Sequence, residues 1–116
     1  MTNHFNIGDI LQGEKNLRNE AYHPIIYLGE TDKNDFFLGG MITHSSTSNN
    51  VRLEDVHFER KIDKDSRPSY FVNNFLFKKQ EWGPFNVIGK LSNDGISFVK
   101  DNLNGSEPRI WEEYLH

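Results

Sequence analysis

The sequence predicts a mainly β domain closed by one C-terminal helix, and three observations carry that expectation. The chain has 116 residues, a length that fits one domain. Hydrophobic residues make up 35% of it and aromatics 13%, nine of them Phe, so the core draws on aromatic and branched side chains that favour strands. Short apolar runs broken by Gly, Pro, Asn and Asp fill residues 5 to 91, and a helical apolar spacing follows only after Ser92.

Taken in order, "FNIGDIL" reads as a short strand with a bend or bulge at Gly8-Asp9. "HPIIYLGE" is a second strand, with Pro24 confined to its start because proline cannot donate to a ladder. "TDKN" supplies turn chemistry, and "DFFLGGMIT" is a third strand whose two glycines allow coiling or a close neighbour. "NNVRLEDVHFER" fits either a short strand or one helical turn, and "KIDKDSRPS" reads as an exposed loop. "SYFVNNFLFKK" predicts one strong strand with both faces covered, and "FNVIGKL" another. Ser92 is a good N-cap for "NDGISFVKDNL", where Ile96, Val99 and Leu103 recur at helical spacing and Asn104-Gly105 supplies a stop. The expected division is therefore a barrel with its closing helix over residues 1–104 and a tail over 105–116, where Trp111, Tyr114 and Leu115 predict one apolar patch on a short helix.

Composition excludes several chemistries. With no cysteine, the chain has no disulfide, thiolate zinc site or cysteine nucleophile. The start "MTNHFNIGDIL" lacks the basic and apolar regions of a secretory signal and no apolar run is long enough to span a bilayer, which predicts a soluble cytoplasmic protein with no membrane partner. A net charge of −4 disfavours a surface that coats nucleic acid throughout, while leaving room for a local basic site. No cofactor motif is present: "GG" at 39 and 40 sits inside a strand rather than opening a helix, "DKDS" lacks the glycine and glutamate of a calcium loop, and the histidines show no metal spacing.

Short strands with glycine turns followed by a helix suggest a small coiled antiparallel barrel of the SH3-like kind. Within that frame "GDIL" at 8 to 11, "HPIIYLGE" at 23 to 30, "GGMITHSS" at 39 to 46 and "LSNDGISFVKDNL" at 91 to 103 resemble, in order, four parts of the MazF, PemK and Kid toxin family. The resemblance spans roughly residues 5 to 103 and implies a PemK/MazF-like barrel that cuts single-stranded RNA without a metal. It also implies a homodimer inhibited by an antitoxin, protein or RNA, as in a type II or type III toxin-antitoxin system. One departure is specific: family members carry an arginine before the second-strand proline, where this chain has His23.

Metal-free RNA cleavage needs a base for the ribose 2′-hydroxyl, donors for the charge on phosphorus and an acid for the leaving 5′-oxygen. Imidazole titrates near neutral pH and can serve as base or acid, and hydroxyls and backbone N–H groups at a strand end are fixed donors. His23, Thr43, His44 and Ser45 supply that set, with His23 expected to face Thr43 and His44 if the second and third strands are antiparallel neighbours. Lys78, Lys79 and Trp82 combine charge with a ring on which a base could stack, and Arg18 lies in the loop where family members contact substrate. Each has a plainer reading: Ser and Asn after a strand form loops, an exposed lysine pair protects a sheet edge, and a Trp beside Gly-Pro plugs a core. A non-catalytic SH3-like module that binds protein or RNA is the competing function.

Overall fold

A computed structural model describes residues 5–13, 23–31, 36–46, 49–62, 68–73, 76–79, 85–105 and 107–110. Apolar residues stand in adjacent pairs along the chain, Ile10-Leu11, Ile25-Ile26, Met41-Ile42 and Phe71-Val72, and a strand sends neighbours to opposite faces. Both faces of the sheet are accordingly buried. Ile10, Ile26, Ile42 and Phe71 enter one apolar cluster, and Leu11, Ile25, Met41 and Val72 enter a second with Tyr27, Phe37 and Phe85.

The strands are β1 (Asp9–Gly13), β2 (Ile25–Glu30), β3 (Phe36–Thr43), β4 (Val51–Leu53), β5 (Phe58–Arg60), β6 (Ser69–Phe71), β7 (Leu76–Lys79), β8 (Phe85–Leu91) and β9 (Arg109–Ile110), with one helix, α1 (Asn93–Leu103), between β8 and β9. Seven of them follow the order β4-β6-β3-β2-β1-β8-β5, all antiparallel, while β7 pairs with β3 and β9 runs parallel to β7. The register of β2 on β3 steps between Tyr27 and Gly29, leaving Leu28 bulged, and Gly29 takes φ +127°, a conformation open to glycine and strained for any other residue.

This sheet cannot be flat. β4 and β5 stand at opposite ends of the strand order, which in a flat sheet would separate them by about 29 Å. Yet only Glu54 to His57 lie between them, and the steps from Leu53 to Phe58 span about 18 Å even when fully extended. The sheet therefore curls into a half-barrel that brings its ends together. Leu53 of β4, Ile62 after β5, Leu91 of β8 and Val99 and Leu103 of α1 all join the first cluster inside that curl.

The short link is a single 3-10 turn, Asp55–His57, docked on the start of α1. Ser92 N–H donates to the His57 carbonyl at 2.9 Å. The Ser92 hydroxyl donates to the Val56 carbonyl at 2.7 Å and accepts from the Gly95 N–H at 3.0 Å, so one side chain caps the helix and ties it to the turn. The His57 ring stacks on Phe98 with centroids 4.1 Å apart and planes 10° from parallel. Gly95 faces this junction, and a Cβ there would overlap the His57 carbonyl.

Three expectations change. The segment expected as one strand over residues 69 to 79 is two, because β6 takes the end of β3 and β7 its beginning. Residues 51–60, open between strand and helical turn, hold a strand, a turn and a second strand. Ile62, in the segment read as an exposed loop, is buried in the core. The helix runs over Asn93–Leu103 with Ser92 as N-cap, and Gly105 takes φ +86° just past its end. Arg109 and Ile110 form β9, and Trp111, Tyr114 and Leu115 lie outside the described residues. No helix among the described residues is long and apolar enough to cross a membrane.

Two outcomes test this account. Gly95→Ala must displace a backbone carbonyl, and we expect it to lower the unfolding free energy by about 1–3 kcal/mol or more in urea titration. Burial first, then the hydrogen bond donated to Glu30 at 2.8 Å and the charge of that carboxylate, push the Tyr27 phenol up from 10.0 to about 12. A raised folded-state value favours the protonated form, so this contribution is complete below pH 10 and is lost as pH rises towards 12. Measured across that window, unfolding free energy should fall more steeply in the natural protein than in Tyr27→Phe.

Candidate functional site

The site expected at the ends of β2 and β3 depends on their register. Ile25 stands opposite Met41, and one step on the Ile42 N–H donates to the Pro24 carbonyl at 2.9 Å. Pro24 has no N–H to return, so the ladder ends in a single bond. Carried two residues past the start of β2, the same register aligns the backbone of His23 with Thr43. His23 is half-buried, and its Nδ1 lies 3.3 Å from the Ile42 carbonyl oxygen.

Hydrogen-bond partners assign the tautomers. A carbonyl oxygen only accepts, so His23 Nδ1 carries the proton and the neutral ring has its lone pair on Nε2. His44 is set the same way by the Pro68 carbonyl, 2.9 Å from its Nδ1. His57 has the reverse assignment, because its Nδ1 accepts from the Glu54 N–H at 2.9 Å and its proton sits on Nε2. Thr43 Oγ1 accepts from the Ser45 N–H at 3.2 Å, which orients the hydroxyl and leaves its own proton able to donate. Ser45 is exposed, and its carbonyl accepts from Asn50 Nδ2 at 2.9 Å.

The structure anchors His23 and His44 to carbonyls on either side of the end of β3, where Thr43 stands. The two imidazoles are anchored to opposite sides of β3, His23 from the β2 side and His44 by the segment that leads into β6. Lys78 and Lys79 lie in β7, paired with Phe37 and Phe36, about 20 Å along β3 from Thr43. Arg18 and Trp82 are outside the described residues.

Two residues that sequence reasoning passed over lie in the same row. Thr43 pairs with Tyr70 on β6, and Tyr70 pairs with Arg52 on β4. The order across four strands is Arg52, Tyr70, Thr43, His23, and directly opposed residues share a face. That face is the second one, since Ile25, Met41 and Val72, two residues from His23, Thr43 and Tyr70, belong to the second cluster. Arg52 is exposed and forms an ion pair with Glu54, Nε to Oε1 at 3.6 Å, while Tyr70 is half-buried. The local signal was present, because Arg52 stands between inward-facing Val51 and Leu53 and Tyr70 precedes inward-facing Phe71. Which strands would align them was not.

Among the described residues no three His, Asp or Glu side chains gather as a metal site. Compared with known proteins, the sequence matches no family model and no curated protein.

The tautomer assignment has a direct check. In 15N-detected imidazole spectra of the neutral rings, the protonated nitrogen should be Nδ1 in His23 and His44 and Nε2 in His57, and the reverse pattern at His23 would remove its orientation as a base through Nε2.

Proposed function

We propose that the chain is a divergent MazF/PemK/Kid-like toxin with an SH3-like barrel, acting as a metal-independent endoribonuclease on single-stranded RNA. The observation that supports this most is the His23–Thr43 pair at the ends of β2 and β3, with the His23 proton committed to the Ile42 carbonyl. That commitment leaves the lone pair of the neutral ring on Nε2, the atom that would act as general base.

In the proposed reaction, His23 Nε2 takes the proton of the ribose 2′-hydroxyl and the 2′-oxygen attacks phosphorus. The Thr43 hydroxyl, held by the Ser45 N–H, donates to a non-bridging oxygen as charge builds there. The bond to the 5′-oxygen breaks, and that oxygen receives a proton from His44, which in its imidazolium form carries one on each ring nitrogen. The products are a 2′,3′-cyclic phosphate and a 5′-hydroxyl. The positive charge that family members place before the second-strand proline is replaced here by an imidazole, so the reaction relies on proton transfer where a guanidinium would stabilise charge continuously. A homodimer and an antitoxin partner belong to the same proposal.

The test is incubation of the purified protein with a mixed RNA in EDTA, followed by analysis of the ends. Cyclic phosphate ends are expected, and His23→Gln should reduce their formation by about 100-fold or more, the contribution of a positioned base. Thr43→Val should lower the rate while leaving the fold intact. RNA that stays whole from about pH 5 to about 9, the range that brackets imidazole titration, with folded protein, would reject cleavage and favour the SH3-like binding module.

A further inference from the structure

The row that contains His23 and Thr43 continues for two more strands, and its far members have chemistry the cleavage step does not use. We propose that Tyr70 and Arg52 form a nucleotide subsite beside the His23–Thr43 pair, in which Tyr70 stacks one base of a single-stranded RNA and Arg52 holds an adjoining phosphate. The inference rests on the reading of His23 and Thr43 as an RNA site.

Geometry sets what the subsite can reach. Arg52 lies two strand spacings beyond Thr43, about 10 Å. That backbone spacing is within the span of a dinucleotide lying across the strands. Tyr70 stands between them in register, half-buried, with Thr43 opposite it on β3 and Arg52 opposite it on β4. Every base has a flat face that can stack on such a ring, and a guanidinium forks onto phosphate oxygens. The Arg52–Glu54 pair does not preclude this. Its side chains are 52% and 61% exposed, and exposed ion pairs contribute little, so the guanidinium can exchange the carboxylate for a phosphate. With the chain at −4 overall, a short row of this kind accounts for RNA binding better than a broad basic surface does.

The probe is a labelled single-stranded 2′-O-methyl RNA octamer pool, which lacks the attacking hydroxyl and cannot be cut by this route. Binding is followed by fluorescence anisotropy across a salt series. We expect the natural protein to bind, Arg52→Gln to weaken binding and reduce the slope of log affinity on log salt by about 0.7, the value for one phosphate contact on a single strand. Tyr70→Ala should weaken binding by about 5- to 150-fold, the value of one stacked base, with the slope unchanged, and Tyr70→Phe should restore it. Arg52 is exposed, so the salt-slope result stands even if Tyr70→Ala fails to fold. Failure of the natural protein to bind the pool, or equal binding and slope in Arg52→Gln, overturns the subsite. Cleavage of unmodified RNA, measured in parallel, separates the two readings. Intact RNA together with the expected Arg52 and Tyr70 effects rejects the nuclease and keeps the subsite, whereas cleavage with no effect of either substitution rejects the subsite alone.

Discussion

The link from Leu53 to Phe58 is the constraint on which the rest of the molecule depends. It joins the two ends of a seven-strand order through one 3-10 turn, and no flat sheet can satisfy it. Curling the sheet costs edge-to-edge freedom and is stabilised from inside by the cluster around Ile10, Ile26, Ile42 and Phe71. It is stabilised at the seam by α1, whose N-cap Ser92 binds the turn's carbonyls and whose Phe98 stacks on its ring. Gly95 permits that approach because any side chain would stand where the His57 carbonyl lies. Turn and helix are thus one junction.

Within the curl, β3 is the shared spine. It pairs with β2 along one edge, and along the other with β7 at its beginning and β6 at its end. The two ends consequently meet different company. At the beginning, Phe36 and Phe37 run beside Lys79 and Lys78. At the end, Thr43 meets Tyr70 on one side and His23 on the other, where the second apolar cluster gives way to polar side chains. The division explains why basic residues prominent in the sequence are remote from the histidines: the lysines of β7 pair with one end of β3 and the histidines stand at the other, about 20 Å away.

Much of this was legible locally. β2, β3, β8 and α1 announce themselves through apolar runs, a strand-start proline and a Ser N-cap, features that need no knowledge of partners. What escaped was non-local. Residues 69 to 79 show continuous strand character, and only the length of β3 reveals that two short strands share its edge. Ile62 sits in a stretch dominated by charge, and its burial follows from where β5 delivers the chain, beside Gly89 of β8. The site was half legible for the same reason. The expectation that His23 aligns with Thr43 follows from antiparallel neighbours, but placing Tyr70 and Arg52 in their row requires two further registers that alternation alone does not specify.

Register is also what keeps the row on one face, at the border of the second cluster. His23, Thr43 and Tyr70 share the pleat of Ile25, Met41 and Val72, so a one-residue slip of β2 on β3 would turn Ile25 out of the second cluster and take His23 off the face of Thr43. Gly39 opposes such a slip. A Cβ at Gly39 would come within 2.8 Å of Ile25 Cγ2, so the Ile25 methyl occupies space that only a glycine leaves open, and only in this alignment. Pro24 adds the second restraint, because its carbonyl accepts from Ile42 while its nitrogen can enter no alternative ladder. A glycine and a proline, neither with any chemistry of its own, therefore fix the register that aligns His23 with the end of β3.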